Sequence, residues 1–332
     1  MFLNQKLKEK NIFSLLQYIG AILVIASHAY PISMGDNYVN PLYRITNGQL
    51  SFGEIAVNLF FFVSGLFIVN SVKKSSGFRK YFIDRCKRIF PPLIIVMFIS
   101  TYVFGFFFTT VNKMDYLTSL STFKFFVLNS LMIPHHYLPG VFENTVYSGA
   151  LNGSLWTLAP QFLCYILCYF AYKLKLLDKG KMIFTFPMVL LVWFNIEKVY
   201  AISPLIYNMM HPMIFFYMGC LFNVYSEFII LKWNYTIVAI IASLIFLKVD
   251  LYKYVSIITY PYILLFVAYS WNVKKIYIDF CKKYFYLYFL WGFFVQRMIA
   301  YLFGGSMNVY LNIVLSVFVT HFLSVLCVKL VK

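Results

Sequence analysis

Apolar residues run through this chain in ten long stretches separated by short polar segments, without the strict alternation typical of a half-buried strand. The first stretch, residues 12–30, reads IFSLLQYIGAILVIASHAY and contains no Asp, Glu, Lys or Arg. A helix of that length is about 28 Å long and crosses the hydrocarbon core of a bilayer. The pattern predicts an all-α, polytopic membrane helix bundle of about ten transmembrane helices. The predicted spans are 12–30, 54–72, 91–110, 154–173, 182–199, 204–224, 235–249, 254–272, 284–303 and 308–331.

Three segments outside these spans affect the interpretation. Residues 121–133 are apolar but too short to cross comfortably, so we expect an interfacial or re-entrant helix there. Residues 31–53 and 111–153 are longer and rich in polar and turn residues. Long loops on one face of a helical scaffold are suited to binding a substrate from that side.

The composition excludes an ordinary soluble domain. Hydrophobic residues make up 62% of the 332-residue chain and charged residues only 12%, whereas soluble domains are about 45–50% apolar. No internal repeat is visible, which weighs against a transporter built from inverted repeats. We therefore expect a single transmembrane domain over residues 1–332.

The formal net charge of +17 reflects membrane orientation more than recognition of a nucleic acid. If the N-terminus is cytoplasmic, 21 of the 28 Lys and Arg residues fall in cytoplasmic segments. The positive-inside rule then predicts that both termini are cytoplasmic and that many of these side chains contact membrane lipids. No nucleic-acid partner is expected.

The six cysteines do not predict a disulfide framework or a metal site. Cys86 and Cys281 are expected at the reducing face and the other four within spans, so all should be free thiols. Cys164 and Cys168 share a helical face, but no His or carboxylate lies near them in sequence. No metal cofactor is therefore expected.

His28 lies near the far end of the first apolar stretch. A side chain that exchanges a proton near neutral pH is costly in lipid unless it faces a cavity or a partner. The motifs described in the next paragraphs favour a functional role for His28 over a structural one. His211 and His321 also lie in predicted spans, and for these two we favour hydrogen bonding across helices.

A basic segment, GFRKYFIDRCKRIFPP at residues 77–92, precedes the third stretch. Arg85 and Arg88 are three residues apart, so they share a face if the segment is helical, and Asp84 is placed to pair with Arg88. Two guanidinium groups suit a phosphate or diphosphate, because each presents a rigid fork of donors. A loop obeying the positive-inside rule is the alternative, but it does not explain why arginines gather here when lysine predominates elsewhere.

The second stretch carries polar residues within an apolar helix. Its motif GEIAVNLFFFVSG, residues 53–65, contains Asn58 and Ser64. Gly65 is expected to let a neighbouring helix approach closely, as small residues do in membrane bundles.

The fourth stretch opens with NGSLWTLAPQFLCY, residues 152–165. Asn152 or Ser154 is a candidate helix cap, and Trp156 lies at the depth where tryptophans gather at the membrane interface. Gln161 is a buried amide that needs hydrogen-bond partners.

In order and spacing, these motifs resemble the acyltransferase-3 family, the integral membrane O-acyltransferases that modify bacterial surface polysaccharides. The matching pieces are LQYIGAILVIASHAYP around His28, GEIAVNLFFFVSGLFI, FIDRCKRIFPPL, GSLWTLAPQFLCY and, more weakly, YFYLYFLWGFFVQ. They extend over most of the chain. The resemblance implies a bundle of about ten spans, which agrees with the hydropathy.

The resemblance implies that His28 is the catalytic histidine and that Arg85 and Arg88 form the family's RxxR element. We therefore expect transfer of an acyl group, most simply acetyl, from cytoplasmic acetyl-CoA to a hydroxyl of a cell-surface or capsular polysaccharide or a lipid-linked glycan, at the bacterial cytoplasmic membrane. His28 acts either as general base on the acceptor hydroxyl or as a nucleophile that forms an acyl-histidine. The donors to the oxyanion are sought among three residues: Asn58, Ser64 and Trp156.

The chain departs from the family pattern at three positions. The family usually has Arg where Gln17 stands, Glu where Gln161 stands and often His where Gly292 stands. Gln17 and Gln161 keep hydrogen bonding and lose charge, so they are expected to be supporting or substrate-contacting residues. Three interpretations follow: an active member with altered support, a non-catalytic member of the same scaffold, or a polysaccharide flippase or small-molecule transporter that lines its pathway with polar residues.

Overall fold

The computed structural model describes residues 2–331, except for the side chains of Leu205 and Val331. Within those residues the fold is all-α, and the two isolated β-bridges do not extend into strands. In chain order the helices are α1 (Leu3–Lys6), α2 (Phe13–Met34), α3 (Pro41–Ile45), α4 (Phe52–Lys74), α5 (Phe78–Phe98), α6 (Gly105–Phe108), α7 (Lys113–Thr118), α8 (Leu120–Ser130), α9 (Leu158–Lys173), α10 (Lys179–Phe194), α11 (Ile196–Ile202), α12 (Pro204–Val224), α13 (Trp233–Lys248), α14 (Tyr252–Ser270), α15 (Lys275–Leu302) and α16 (Val309–Val331).

Six helical segments of the described chain are long and apolar enough to cross a membrane. They are Phe13–Met34, Phe52–Lys74, Phe78–Phe108, Leu155–Lys173, Lys275–Leu302 and Val309–Leu330. Helices α10 and α11 would form a seventh span, bent by 54°. The fold class is thus confirmed, whereas the count of ten spans and the cytoplasmic termini stay predictions. Helix α13, at 16 residues, is too short to meet this criterion.

The third span begins earlier than the sequence analysis predicts. The basic segment is not a loop before a Pro-Pro helix start; it forms the first turns of α5, which begins at Phe78. Pro91 and Pro92 lie inside this helix, where each lacks a donor for the helical ladder. A π-helical turn, Ile99–Phe104, follows and joins α5 to α6. Such turns often accompany irregular helical hydrogen bonding in long helices.

Helix α4 lies at the centre of the bundle, packed between α2 and α12, and α15 packs along the other side of α2. Close contact between α4 and α12 depends on glycine in both helices. A Cβ at Gly65 would collide with the backbone carbonyl of Phe216, and one at Gly219 would collide with that of Phe62. The expectation of a close helix approach at Gly65 is met by this geometry.

Replacing Gly65 with alanine is expected to destabilise the protein by about 1–3 kcal/mol, because the added methyl group overpacks a backbone contact. The measurement is the thermal unfolding midpoint of the purified protein in detergent. Gly180→Ala is the matched control, since a Cβ at Gly180 meets nothing within 4 Å. Equal midpoints for the two variants would contradict the tight α4–α12 contact.

The two long polar segments lie together at the end of the bundle that carries His28. Asp36 accepts a hydrogen bond from the backbone N–H of Ser148 at 3.3 Å, which joins one segment to the other. Arg297, buried in α15, donates to Thr145 at 2.7 Å and to the carbonyl of Phe142 at 3.1 Å. These bonds hold the loops over this end of the helices.

Candidate active site: two adjoining cavities

The structure places His28, Asn58 and Trp156 around one cavity of about 370 Å³, named here the histidine cavity. It opens among the ends of α2, α4 and α12 and the segment that leads into α9. Three predicted site residues from three parts of the sequence therefore meet in one space. Its other polar lining residues are Ser27, Tyr43, Ser51, Glu54, Ser154, Thr157, Tyr207, Asn208 and His211.

His28 forms no hydrogen bond with any other described residue. Its ring packs edge-on against Phe293, with 4.8 Å between the ring centroids. Ser27, the residue before it, accepts a hydrogen bond from the Asn40 side chain at 3.3 Å and lies against Gly53, where a Cβ would come within 3.2 Å of the Ser27 hydroxyl oxygen. The backbone around His28 is thus held on both sides, while its ring nitrogens stay available to a bound molecule.

Glu54 and His211 form a carboxylate–imidazole pair in the same cavity. One Glu54 carboxylate oxygen lies 3.6 Å from His211 Nε2, which is close enough for electrostatic coupling but long for a direct hydrogen bond. The His211 ring is held among Trp193, Tyr207 and Phe215, with centroid distances of 5.0, 5.6 and 5.9 Å. Sequence reasoning gave His211 a structural role; the structure places it in the wall of the cavity that contains His28.

Asn58 is a buried polar residue of the cavity wall that lacks a full set of partners. Its side chain is 5% exposed, and its Oδ1 atom has no hydrogen-bond partner in the described chain. Leaving such a group unsatisfied costs about 1–3 kcal/mol. A site that binds a polar ligand is one place where that cost is recovered.

The other predicted residues, Gln17, Ser64, Arg85, Arg88 and Gln161, line a second cavity of about 410 Å³, named here the arginine cavity. Lys282 and Lys283 of α15 also line it. Among the described residues, none of its four cationic side chains forms an ion pair, and the predicted Asp84–Arg88 pair is not formed. Uncompensated positive charge in a concave site attracts an anion.

Arg85 is positioned by neutral groups. It donates a hydrogen bond to the Ser71 hydroxyl at 2.8 Å, and its guanidinium lies 5.6 Å from the centre of the Tyr81 ring. Its Nε atom is buried and has no partner in the described chain. Arg85 therefore keeps both its charge and donor capacity for a ligand.

Gln161, the expected buried amide, is hydrogen-bonded within the arginine cavity. Its Nε2 donates to the Ser64 hydroxyl at 2.7 Å and to the Tyr165 hydroxyl at 3.2 Å. The Tyr165 hydroxyl in turn donates to Ser64 at 3.2 Å. Ser64 thus contacts Gln161 and lies in a different cavity from Asn58 and Trp156, the other two candidate oxyanion donors.

Asn152 and Ser154 do not cap the fourth span with their side chains, contrary to the sequence interpretation. Asn152 bonds to α15 instead and donates to the carbonyl of Leu290 at 2.9 Å. Ser154 donates to Asn152 Oδ1 at 2.9 Å, and the carbonyl oxygen of Phe289 lies 3.3 Å from its hydroxyl. Gly153 lies against the Phe293 ring, where a Cβ would be 2.8 Å from a ring carbon. The motif therefore joins the start of α9 to α15 beside both cavities.

Four ionisable residues of the cavities are missing from the sequence interpretation of the site. Glu54 and His211 had a visible signal, because an ionisable residue within an apolar span is costly and usually functional. Lys282 and Lys283 were counted only among the basic residues that orient the chain in the membrane. The fold places them in the same cavity as Arg85, which is distant in sequence. No group of three or more potential metal ligands occurs in the described chain.

This geometry can hold an anion at one end and a neutral polar molecule at the other. The arginine cavity supplies four cationic side chains, and the histidine cavity supplies imidazole, carboxylate and amide groups. A proton acceptor beside a site for an anionic cosubstrate suits transfer of a group from an anionic carrier to a hydroxyl.

Comparison with known proteins identifies the group of sequences to which this chain is related. The acyltransferase-3 family model, described as an acyltransferase domain, matches residues 11–329. An O-acetyl transferase of Shigella phage Sf6 is 29% identical over 196 residues, covering 59% of this chain and 54% of that protein. Nodulation protein 10 of Rhizobium leguminosarum bv. viciae is 28% identical over 193 residues, covering 55% of this chain and 45% of that protein. The match thus spans about half the length of each relative, and no solved structure matches the chain.

Proposed function

The chain belongs to the acyltransferase-3 family, and on that premise we propose that it is a membrane O-acyltransferase that moves an acetyl group from acetyl-CoA to a hydroxyl of a cell-surface glycan. One observation supports this most: a cavity lined by four cationic side chains adjoins a cavity lined by His28, and neither the cations nor His28 has an ion-pair or hydrogen-bond partner across the two cavities in the part of the chain that the structure describes, apart from the bond of Arg85 to Ser71. The name of the phage relative, an O-acetyl transferase, supports acetyl as the group transferred.

The donor is proposed to bind in the arginine cavity. Arg85, Arg88, Lys282 and Lys283 would contact the phosphates of CoA, because phosphate needs charged donors and cannot enter lipid unpaired. The apolar walls of the cavity would surround the pantetheine arm. We place this end of the bundle at the cytoplasm, where acyl-CoA is available, with both termini on the same side.

The acceptor is proposed to bind in the histidine cavity. His28 takes the proton of the acceptor hydroxyl as its oxygen attacks the thioester carbon, the C–O bond forms, the C–S bond breaks, and the proton passes to the departing CoA sulfur. Asn58 and Trp156, which line the same cavity, would donate hydrogen bonds to the developing oxyanion. The alternative, a transient acyl-histidine at His28, is tested by quenching single turnovers with acid and searching for the acylated peptide.

The cavities follow one another along α2, which lines the arginine cavity with Gln17 and the histidine cavity with His28. Eleven residues of helix separate the two positions, or about 16 Å of rise. A donor that enters at the arginines therefore needs a long, slender arm to bring its thioester to the histidine. CoA has this shape, with its charge at one end and its thioester at the other.

The test is transfer of label from [acetyl-¹⁴C]CoA to glycan in membranes that contain the protein. Incorporation that requires the protein supports the proposal. If no acyl-CoA donates label to any native glycan fraction, while a glycan or small solute crosses the membrane in a protein-dependent way, the transporter interpretation replaces it. Binding of CoA without turnover or transport would indicate a non-catalytic member of the family.

A substitution in the histidine cavity tests the proposal that the acceptor binds there and CoA binds in the arginine cavity. Glu54→Gln is expected to lower transfer to glycan by roughly 10–100-fold, because a hydrogen bond to a charged carboxylate contributes about 1.5–3 kcal/mol. The dissociation constant for CoA should not change. Glu227→Gln is the matched control, since Glu227 pairs with Lys179 outside both cavities. Loss of CoA affinity in Glu54→Gln would contradict its place on the acceptor side.

A further inference from the structure

Two side chains, Thr157 and Phe289, line both cavities, and among the described residues the two linings share no others. Helix α4 reaches the same boundary: Asn58 belongs to the histidine cavity and Phe60 to the arginine cavity. A single layer of side chains therefore separates the cavities. We call Thr157 and Phe289 the partition.

Both residues of the partition are buried and held by neighbours. Phe289 is 6% exposed and packs edge-on against Phe60 at a centroid distance of 5.7 Å. Thr157 is 4% exposed, and its hydroxyl donates to the carbonyl of Ser154 at 3.3 Å. The boundary between the cavities is thus formed at these positions by the large Phe289 ring and the smaller Thr157 side chain.

The backbone on the α15 side of the partition cannot easily withdraw. Asn152 donates to the carbonyl of Leu290, the residue after Phe289, and Ser154 holds the Asn152 side chain by donating to its Oδ1 atom. These bonds join α15 to the segment that carries Thr157. Because the backbone is held on both sides, the width of an opening between the cavities depends on the side chains, above all on Phe289.

From this arrangement we propose that Phe289 selects the length of the acyl group. The inference rests on the proposed function, in which CoA enters the arginine cavity and the thioester reaches His28. The thioester must then pass between Phe289 and Thr157 to reach His28, and the acyl chain must fit in the part of the histidine cavity that Phe289 also lines. An acetyl group fits beside the ring, whereas each added methylene competes with it for the same volume.

The test compares acetyl-, butyryl-, hexanoyl- and octanoyl-CoA as donors for the wild type, Phe289→Ala, Phe289→Leu and Phe289→Trp. Release of CoA thiol and transfer of labelled acyl group to glycan are both measured, and CoA affinity is measured separately. Phe289→Ala is expected to raise butyryl and hexanoyl transfer relative to acetyl transfer by about tenfold or more, because pocket size discriminates to that extent. Phe289→Leu should give a smaller shift in the same direction and covers the case in which the alanine variant does not fold.

Phe289→Trp should lower acetyl transfer by about tenfold without changing the dissociation constant for CoA, because it narrows the passage and leaves the cations in place. Phe294→Leu is the matched control: Phe294 is a buried phenylalanine of the same helix that lines neither cavity. It should keep the acyl-length profile of the wild type.

An unchanged acyl-length profile in both Phe289→Ala and Phe289→Leu would overturn the proposal. So would a wild type that transfers hexanoyl as fast as acetyl. Failure of the proposed function gives a different result, since the wild type would then release no thiol from any of the four donors.

Discussion

His28→Ala is expected to lower acetyl transfer by about 10²–10⁴-fold, the usual contribution of a positioned general acid–base group. The reason is geometric. The His28 ring lines the acceptor cavity and packs edge-on against the Phe293 ring. It makes no hydrogen bond within the described chain, so its nitrogens are free to act on the acceptor. The assay is label transfer from acetyl-CoA to glycan, together with CoA binding. Binding should be unchanged, because His28 lies outside the arginine cavity.

The control for His28 is His321, another histidine of a membrane helix. His321 packs against the rings of Phe280, Tyr284 and Tyr288 and lines neither cavity. His321→Ala should therefore keep most of the transfer activity. If His28→Ala retained more than about a tenth of wild-type transfer, its role as base or nucleophile would be refuted.

A loss in His211→Ala as large as that in His28→Ala would have a different meaning. It would indicate that the imidazole beside Glu54 also handles the proton. Because Glu54 and His211 line the acceptor cavity, we expect them to bind the acceptor, and their substitution should raise the KM for the acceptor more than it lowers kcat. The KM and kcat of both variants separate a binding role from proton transfer.

Hydropathy and helical spacing predicted the features that depend on one segment at a time. The spacing of Arg85 and Arg88 placed them on one face of a helix, and Gly65 indicated a close contact, because both depend on local periodicity and side-chain size. The predicted start of the third span was wrong. Proline is common in the first turn of a helix, but Pro91 and Pro92 lie well inside α5. Length and apolarity support six spans in the described chain, or seven with the bent α10–α11 pair, and the count of ten stays a prediction.

Features that depend on contact between segments distant in sequence could not be predicted in the same way. The pairing of Glu54 with His211 joins residues from α4 and α12. Asn152 and Ser154 looked like helix caps because local chemistry favours that role, but carbonyls of α15 lie within their reach. The weakly matching motif YFYLYFLWGFFVQ contains Phe289 but did not single it out among 38 phenylalanines, because its position between two cavities appears only in the fold.

Arg85→Ala and Arg88→Ala are each expected to weaken CoA binding by roughly 10–100-fold, because a charge-assisted hydrogen bond contributes about 1.5–3 kcal/mol. The effect should fall on the KM for acetyl-CoA and be largest at low salt, since charge attraction is screened by ions. Arg79→Ala is the matched control: it removes an exposed arginine of the same helix that lines neither cavity.

Acetyl-pantetheine, which carries the thioester but lacks the charged nucleotide, separates phosphate binding from catalysis. If Arg85 and Arg88 contact the phosphates, both variants should turn over acetyl-pantetheine at the wild-type rate while they lose activity with acetyl-CoA. Equal losses with both donors would instead mean that the two arginines support the fold or the reacting atoms, because a side chain that acts only on the nucleotide cannot affect a donor without one. Since Arg85 already bonds to Ser71, Ser71→Ala should reproduce a weaker form of the Arg85 effect, with the loss confined to acetyl-CoA.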